Sequence, residues 1–284
     1  MRKGLAFLFL VNSLFGQLPE TDIWLFKIKT EKQILKIAEG KNITSRKGYD
    51  NQPYFTPDNK SILYVGVYDE KQSDVYSYNL SKQISTQLTK TKESEYSPNY
   101  TPDNKYFSCV TVEPDSIQNF WLYNLDGTRN KCYNPAIDSI GYYTWLSADT
   151  LLYYKLTTPH SLLRYNNNTK DDKWICNNPT RAFKKIDGNT FIYGIKDSVQ
   201  IQYRIYHSLT KKSDEYAIHK STGEDFIWHK DLGLIKSEGA QLFKYDSKTK
   251  SWSILFDLSS FGIKKITRFA FNSKTKYLVI VDNQ

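Results

Sequence analysis

The six residues Phe55-Thr56-Pro57-Asp58-Asn59-Lys60 return 45 residues later as Tyr100-Thr101-Pro102-Asp103-Asn104-Lys105. The flanks keep the same register: Asn42-Ile43-Thr44 matches Gln87-Leu88-Thr89, and Pro53 and Pro98 precede the two copies at equal distance. A gapless period in this range belongs to a repeated supersecondary unit that buries its apolar face against its neighbours. The motif itself reads as a turn. Pro57 presets φ for the first central position of a type I turn, and Asp58 suits the next. Asn59 then tolerates the left-handed conformation that closes a three-residue hairpin loop. The run Ile62-Leu63-Tyr64-Val65 follows as a strand.

Looser copies extend the series at Thr144 to Leu151, Lys185 to Phe191, Ile227 to Leu234 and Ala270 to Tyr277. In each, an aromatic or apolar residue ends one strand and a polar turn leads to another; Gly188 and Gly233 are expected to take the role of Asn59. A second series marks a different strand. Phe26, Tyr78, Tyr123, Tyr165, Tyr206 and Tyr245 occupy one position, with separations after the first pair of 45, 42, 41 and 39 residues. Six copies of each series, four short strands to a unit, predict an all-β six-bladed β-propeller of four-stranded antiparallel blades. The chain begins on a third and fourth strand, Asp22 to Ile28 and Gln33 to Ile37 around a turn at Lys29 to Lys32. It ends on a first and second, Thr267 to Val281. One blade is therefore expected to be closed by N- and C-terminal strands together, which leaves no open edge at the seam.

Composition agrees with sheet. Of 284 residues, 22 are Tyr and 15 Phe, types that suit a pleated, half-buried surface, and Met occurs once. The net charge of +9 comes from 39 basic against 30 acidic residues spread through turns, without a dense basic run, so nucleic acid is not an expected partner. Residues 1–16 have the layout of a signal peptide: Arg2 and Lys3, then a largely apolar Leu5 to Phe15, with cleavage expected after Gly16 or Gln17. That leaves 17–284 as one propeller domain. The apolar run is too short to span a bilayer, and no later segment is long enough. Cys109, Cys132 and Cys176 have no metal-ligand spacing and are read as structural.

The Phe/Tyr-Thr-Pro-Asp-Asn-Lys motif resembles the PD40, or WD40-like, repeat of the TolB-type six-bladed propellers. Thr56 and Thr101 stand for the usual Ser, and Asn59 and Asn104 for the usual Gly; Asp74-Val75-Tyr76 and Asp22-Ile23-Trp24 match the family's Asp-Ile-Tyr strand. The resemblance implies an exported, periplasmic bacterial propeller. TolB's additional N-terminal α/β domain is not expected here.

Motifs of chemistry are absent from the sequence: no G-x-S-x-G elbow, no H-E-x-x-H, no EF-hand loop and no phosphate-binding G-x-x-x-x-G-K. No metal or cofactor is expected. His160, His207, His219 and His229 fall in four separate places, His229 at an expectedly exposed turn. Aligning the first strands by their aromatic anchors gives one candidate ring at a channel mouth. Asp50 and Glu95 lie five before Phe55 and Tyr100, Arg181 five before Ile186, Glu224 and Asp225 four and three before Trp228, and Arg268 three before Phe271. Such a ring holds either a polar ligand or peptide end, or the ion pairs that join neighbouring blades. The reading that follows is a monomeric, non-enzymatic periplasmic or secreted scaffold for a protein or peptide partner in the bacterial cell envelope. The alternative is a carbohydrate-active hydrolase or lyase with Asp50, Glu95, Glu224 or Asp225 as acid and base.

Overall fold

The computed structural model describes residues 18–68, 72–220 and 223–283; segment 1–16, read above as a signal peptide, lies outside them. Among the described residues, twenty-four strands form six four-stranded antiparallel sheets. The sheet that joins the chain ends runs β23 (Ile266–Phe271), β24 (Tyr277–Asn283), β1 (Thr21–Glu31) and β2 (Ile34–Asn42). The second blade is β3 (Asp50–Phe55), β4 (Ser61–Gly66), β5 (Asp74–Asn79) and β6 (Ile84–Gln87). The third is β7 (Ser94–Tyr100), β8 (Tyr106–Val112), β9 (Gln118–Asn124) and β10 (Arg129–Cys132). The fourth is β11 (Ile140–Ser147), β12 (Thr150–Lys155), β13 (Ser161–Asn166) and β14 (Asp171–Asn177). The fifth is β15 (Pro179–Lys185), β16 (Thr190–Lys196), β17 (Ile201–His207) and β18 (Lys212–His219). The sixth is β19 (Phe226–His229), β20 (Gly233–Glu238), β21 (Gln241–Asp246) and β22 (Ser251–Asp257). The expected six-bladed propeller, with one blade shared by the two ends of the chain, is the observed fold.

The core lies between blades, and strand period explains how. On β24, Leu278 and Ile280 pack with Phe26 against Ile235, Leu242 and Phe256 of the sixth blade. The intervening Val279 and Val281 pack with Ile23 against Ile62, Tyr64, Tyr76 and Tyr78 of the second. Successive side chains point to opposite faces, so a strand covered on both sides must be apolar throughout. That is why Ile62 to Val65 and Leu151 to Tyr153 read as unbroken runs, with every one of these residues buried.

The repeated motif forms the turn between the first and second strands. The Asn59 amide donates to the Thr56 carbonyl at 2.8 Å, and Asn59 takes φ +58°. The Thr56 hydroxyl lies 2.7 Å from Asp58 Oδ1 and accepts from the Ser61 amide at 3.0 Å, while Asp58 Oδ1 accepts from the Lys60 amide at 3.0 Å. Thr101, Asp103 and Asn104 repeat the arrangement. Looser copies use other acceptors. Asn272 Oδ1 accepts from the Lys276 and Tyr277 amides, and His229 Nδ1 from those of Asp231 and Leu232.

Three expectations are corrected. His229 is buried, because its ring serves as that turn acceptor and its Nε2 meets Thr275 Oγ1 at 2.9 Å. Gly188 does not adopt a left-handed φ; Asp187 Oδ1 shapes that turn by accepting from the Asn189 and Thr190 amides. The first hairpin turns at Lys32-Gln33, not over Lys29 to Lys32. Both residues have positive φ, +48° and +66°, as a two-residue type I′ turn requires, so β1 runs on to Glu31.

Candidate functional site

The six first strands, β3, β7, β11, β15, β19 and β23, surround an axial cavity of about 500 Å³. Their pairing is interrupted near its charged end. Register shifts fall between Asn51 and Tyr54, between Tyr96 and Asn99, and between Ile266 and Arg268. At the first two, Gln52 and Ser97 take φ +55°, and the Ser97 amide donates to Gln52 Oε1 at 2.6 Å. An extra residue in one strand of a pair bends that strand and re-aims its side chains, which splays the first strands around the axis.

The wall is mixed: polar residues such as Gln52, Asn99 and Thr144 alternate with aromatic ones, of which Trp228 and Phe271 are partly exposed. Its charged residues are Arg181, Lys184, Asp225 and Arg268, with His229 towards the turn face. Asp225, just before β19, is bracketed by two guanidinium groups. Arg268 Nη1 is 2.8 Å from its Oδ1 and Arg181 Nη2 is 3.3 Å from its Oδ2. Glu224 holds Lys196 Nζ at 2.7 Å and Arg181 Nε at 3.5 Å, and accepts from the Arg181 amide at 3.2 Å. Arg268 also lies over the Tyr142 ring, 5.0 Å from its centroid, a cation–π contact. These contacts join the first strands of the fourth, fifth and sixth blades to the closing blade. A neighbouring cavity of about 470 Å³ shares Arg181 and Asp225 and adds Glu224, Lys220 and Lys265.

Of the six candidate residues, the fold thus brings together four: Arg181, Glu224, Asp225 and Arg268. Asp50 and Glu95 line neither cavity and are fully buried between blades. Asp50 Oδ1 meets Arg46 Nη2 at 2.6 Å, and its backbone exchanges two hydrogen bonds with the Thr21 hydroxyl, tying β3 to the closing blade. Burial pushes its carboxyl up to about 6 against the pull of Arg46. Glu95 accepts from Thr89 Oγ1 at 2.9 Å, from Thr91 Oγ1 and from the Tyr123 hydroxyl at 3.2 Å. Burial pushes its carboxyl up to about 7. The equivalence of these two residues between blades is genuine, but their side chains fasten the seam.

Lys184 and Tyr142 belong to the site and carry no sequence motif. Lys184 sits in a plain Lys184-Lys185 pair, and only the knowledge that β15 borders the axis would single it out. All three cysteines are free, Cys109 and Cys176 buried. Among the described residues no three His, Cys, Asp or Glu side chains gather as metal ligands, and no helix is long and apolar enough to cross a membrane.

Comparison of the sequence with protein-family models and with curated proteins finds no match. Comparison of the fold does. A candidate TolB from Agrobacterium tumefaciens superposes with a TM-score of 0.66 at 9% identity, over 94% of this chain and 99% of that one. An oligogalacturonate lyase in complex with manganese gives a TM-score of 0.58 at 10% identity, over 86% and 80%. TolB from Acinetobacter baumannii gives 0.56 at 14% identity, over 93% of this chain and 64% of that one. The structural neighbours include TolB and TolB-like propellers, and the chain has their six-bladed fold.

Proposed function

We propose that this propeller is a non-enzymatic binding module of the bacterial cell envelope, exported by its N-terminal segment, which takes a protein or peptide partner at the charged mouth of its axial channel. The observation that carries this reading is the state of its carboxylates. The two candidate carboxylates that face the cavities, Glu224 and Asp225, are each held by two cations. Within the candidate ring, the two carboxyls raised towards neutrality, Asp50 and Glu95, are fully buried and line neither cavity. General acid–base work needs a group that is both proton-competent and within reach of the reacting atom, and here the two properties sit on different residues.

The experiment is photocrosslinking in cells from a reactive side chain placed at Thr144, which lines the channel. One dominant adduct, lost when the Arg181→Ala and Arg268→Ala changes are combined, supports the reading. An absence of adducts from the whole channel wall sinks it. The rival reading, a lyase, has the manganese-bound neighbour in its favour, but the described residues offer no cluster that fits such an ion. Incubation with oligogalacturonate and added manganese is expected to give no unsaturated product; turnover that Asp225→Asn abolishes would establish the lyase instead.

A further inference from the structure

Lys184 stands apart from the other charged groups of the channel. Arg181, Lys196 and Arg268 each hold an oxygen of Glu224 or Asp225. Among the described residues, no carboxylate or hydrogen-bond acceptor pairs with the Lys184 ammonium, which borders the cavity from β15. Its pKa is lowered by burial and by the charge of Arg268, which Asp225 offsets in part. Lys184 is half-buried, and its ammonium borders the cavity without a carboxylate partner among the described residues, so a carboxylate entering the channel would supply the missing counter-charge. The cluster sets four cations, Arg181, Lys184, Lys196 and Arg268, against two carboxylates, Glu224 and Asp225, which leaves an excess of positive charge beside the channel. Trp228 and Phe271, both partly exposed, offer aromatic surface in the same cavity of about 500 Å³, a size that encloses a small organic group.

We propose that the axial channel binds the carboxylate end of a ligand whose adjoining part is apolar, with Lys184 as its principal counter-charge and Arg181 and Arg268 flanking it. The assignment rests on the binding role proposed above and names the chemistry that is held. The C-terminus of a peptide and a free aromatic acid share that chemistry.

The test titrates the purified full chain by ligand-observed NMR with two matched pairs: benzoate against benzamide, and N-acetylphenylalanine against its amide. The carboxylates are expected to bind at least about tenfold more tightly than the neutral partners, the scale of one charge-assisted hydrogen bond. Binding of N-acetylphenylalanine alone identifies a peptide terminus, and comparable binding of benzoate identifies a free acid. Lys184→Met is expected to remove most of that preference without lowering the melting temperature, whereas Lys60→Met, at an exposed turn, leaves it intact. Equal or absent binding of acid and amide by the wild-type chain overturns the assignment, as does a folded Lys184→Met variant with unchanged affinity. The wild-type comparison needs no variant, so it stands even if Lys184→Met misfolds. A channel without carboxylate preference in a protein that still crosslinks its partner removes this assignment and leaves the binding role. Carboxylate binding without any crosslink does the reverse.

Discussion

Glu95 carries a carboxyl group to a place with no solvent and no cation, where three hydroxyls are its partners. Burial raises its pKa from 4.5 to about 7. Between those values the folded chain keeps a proton that the unfolded chain has released. The stabilisation from this group is therefore complete below about pH 4.5, falls as pH rises through about 7, and is flat above that. A shift of one unit corresponds to about 1.4 kcal/mol, so the rise from 4.5 to about 7 integrates to somewhat over ~3 kcal/mol. Urea unfolding measured from pH 5 to 8 is expected to show this decline in the wild-type chain. It should be much reduced in Glu95→Gln, which should be the more stable protein at pH 8. Parallel curves for the two would mean that the Glu95 carboxyl titrates normally.

At the scale of elements, the bulged first strands shape the site. Ser97 holds φ +55° and contributes its amide to Gln52 Oε1 and its carbonyl to the Tyr143 hydroxyl, none of which involves its side chain. Ser97→Gly keeps both contacts and relieves the left-handed strain, so a gain of about 0.5–1 kcal/mol is expected from thermal or denaturant unfolding; a loss would show that the serine side chain supports the bulge. These bulges also explain what was legible beforehand. Thr-Pro-Asp-Asn dictates a local turn through its own φ preferences and hydroxyl, so its two copies, the blade count and the shared blade could be read from spacing. Which way a first-strand residue points depends on register across the sheet, and one inserted residue reverses it. Asp50 and Glu95 precede the bulges and turn into the seams, Arg181 and Arg268 face the axis, and Lys184 was invisible because nothing local marks a residue that owes its importance to five other strands.

Across the whole molecule, the ring is held shut by β24. Its Leu278 and Ile280 complete one inter-blade core, and Val279 and Val281 complete the next. Deleting residues 277–284 uncovers both at once and frees an edge of β1, a ready template for pairing with other chains. The truncated protein is expected to lose cooperative unfolding and to aggregate, with circular dichroism and light scattering as the measurements. A soluble chain with a sharp transition would mean that the remaining blades stand without closure. The seam has a mechanical side as well. Thr21 pairs with Asn283 at one end of the β1–β24 ladder and Lys27 with Tyr277 at the other. A load applied between residues 21 and 283 therefore meets the hydrogen bonds one pair at a time, as in opening a zip, while a load spread across the blades meets them together. A ring that resists heat as a unit would thus part at low force when pulled by its two ends.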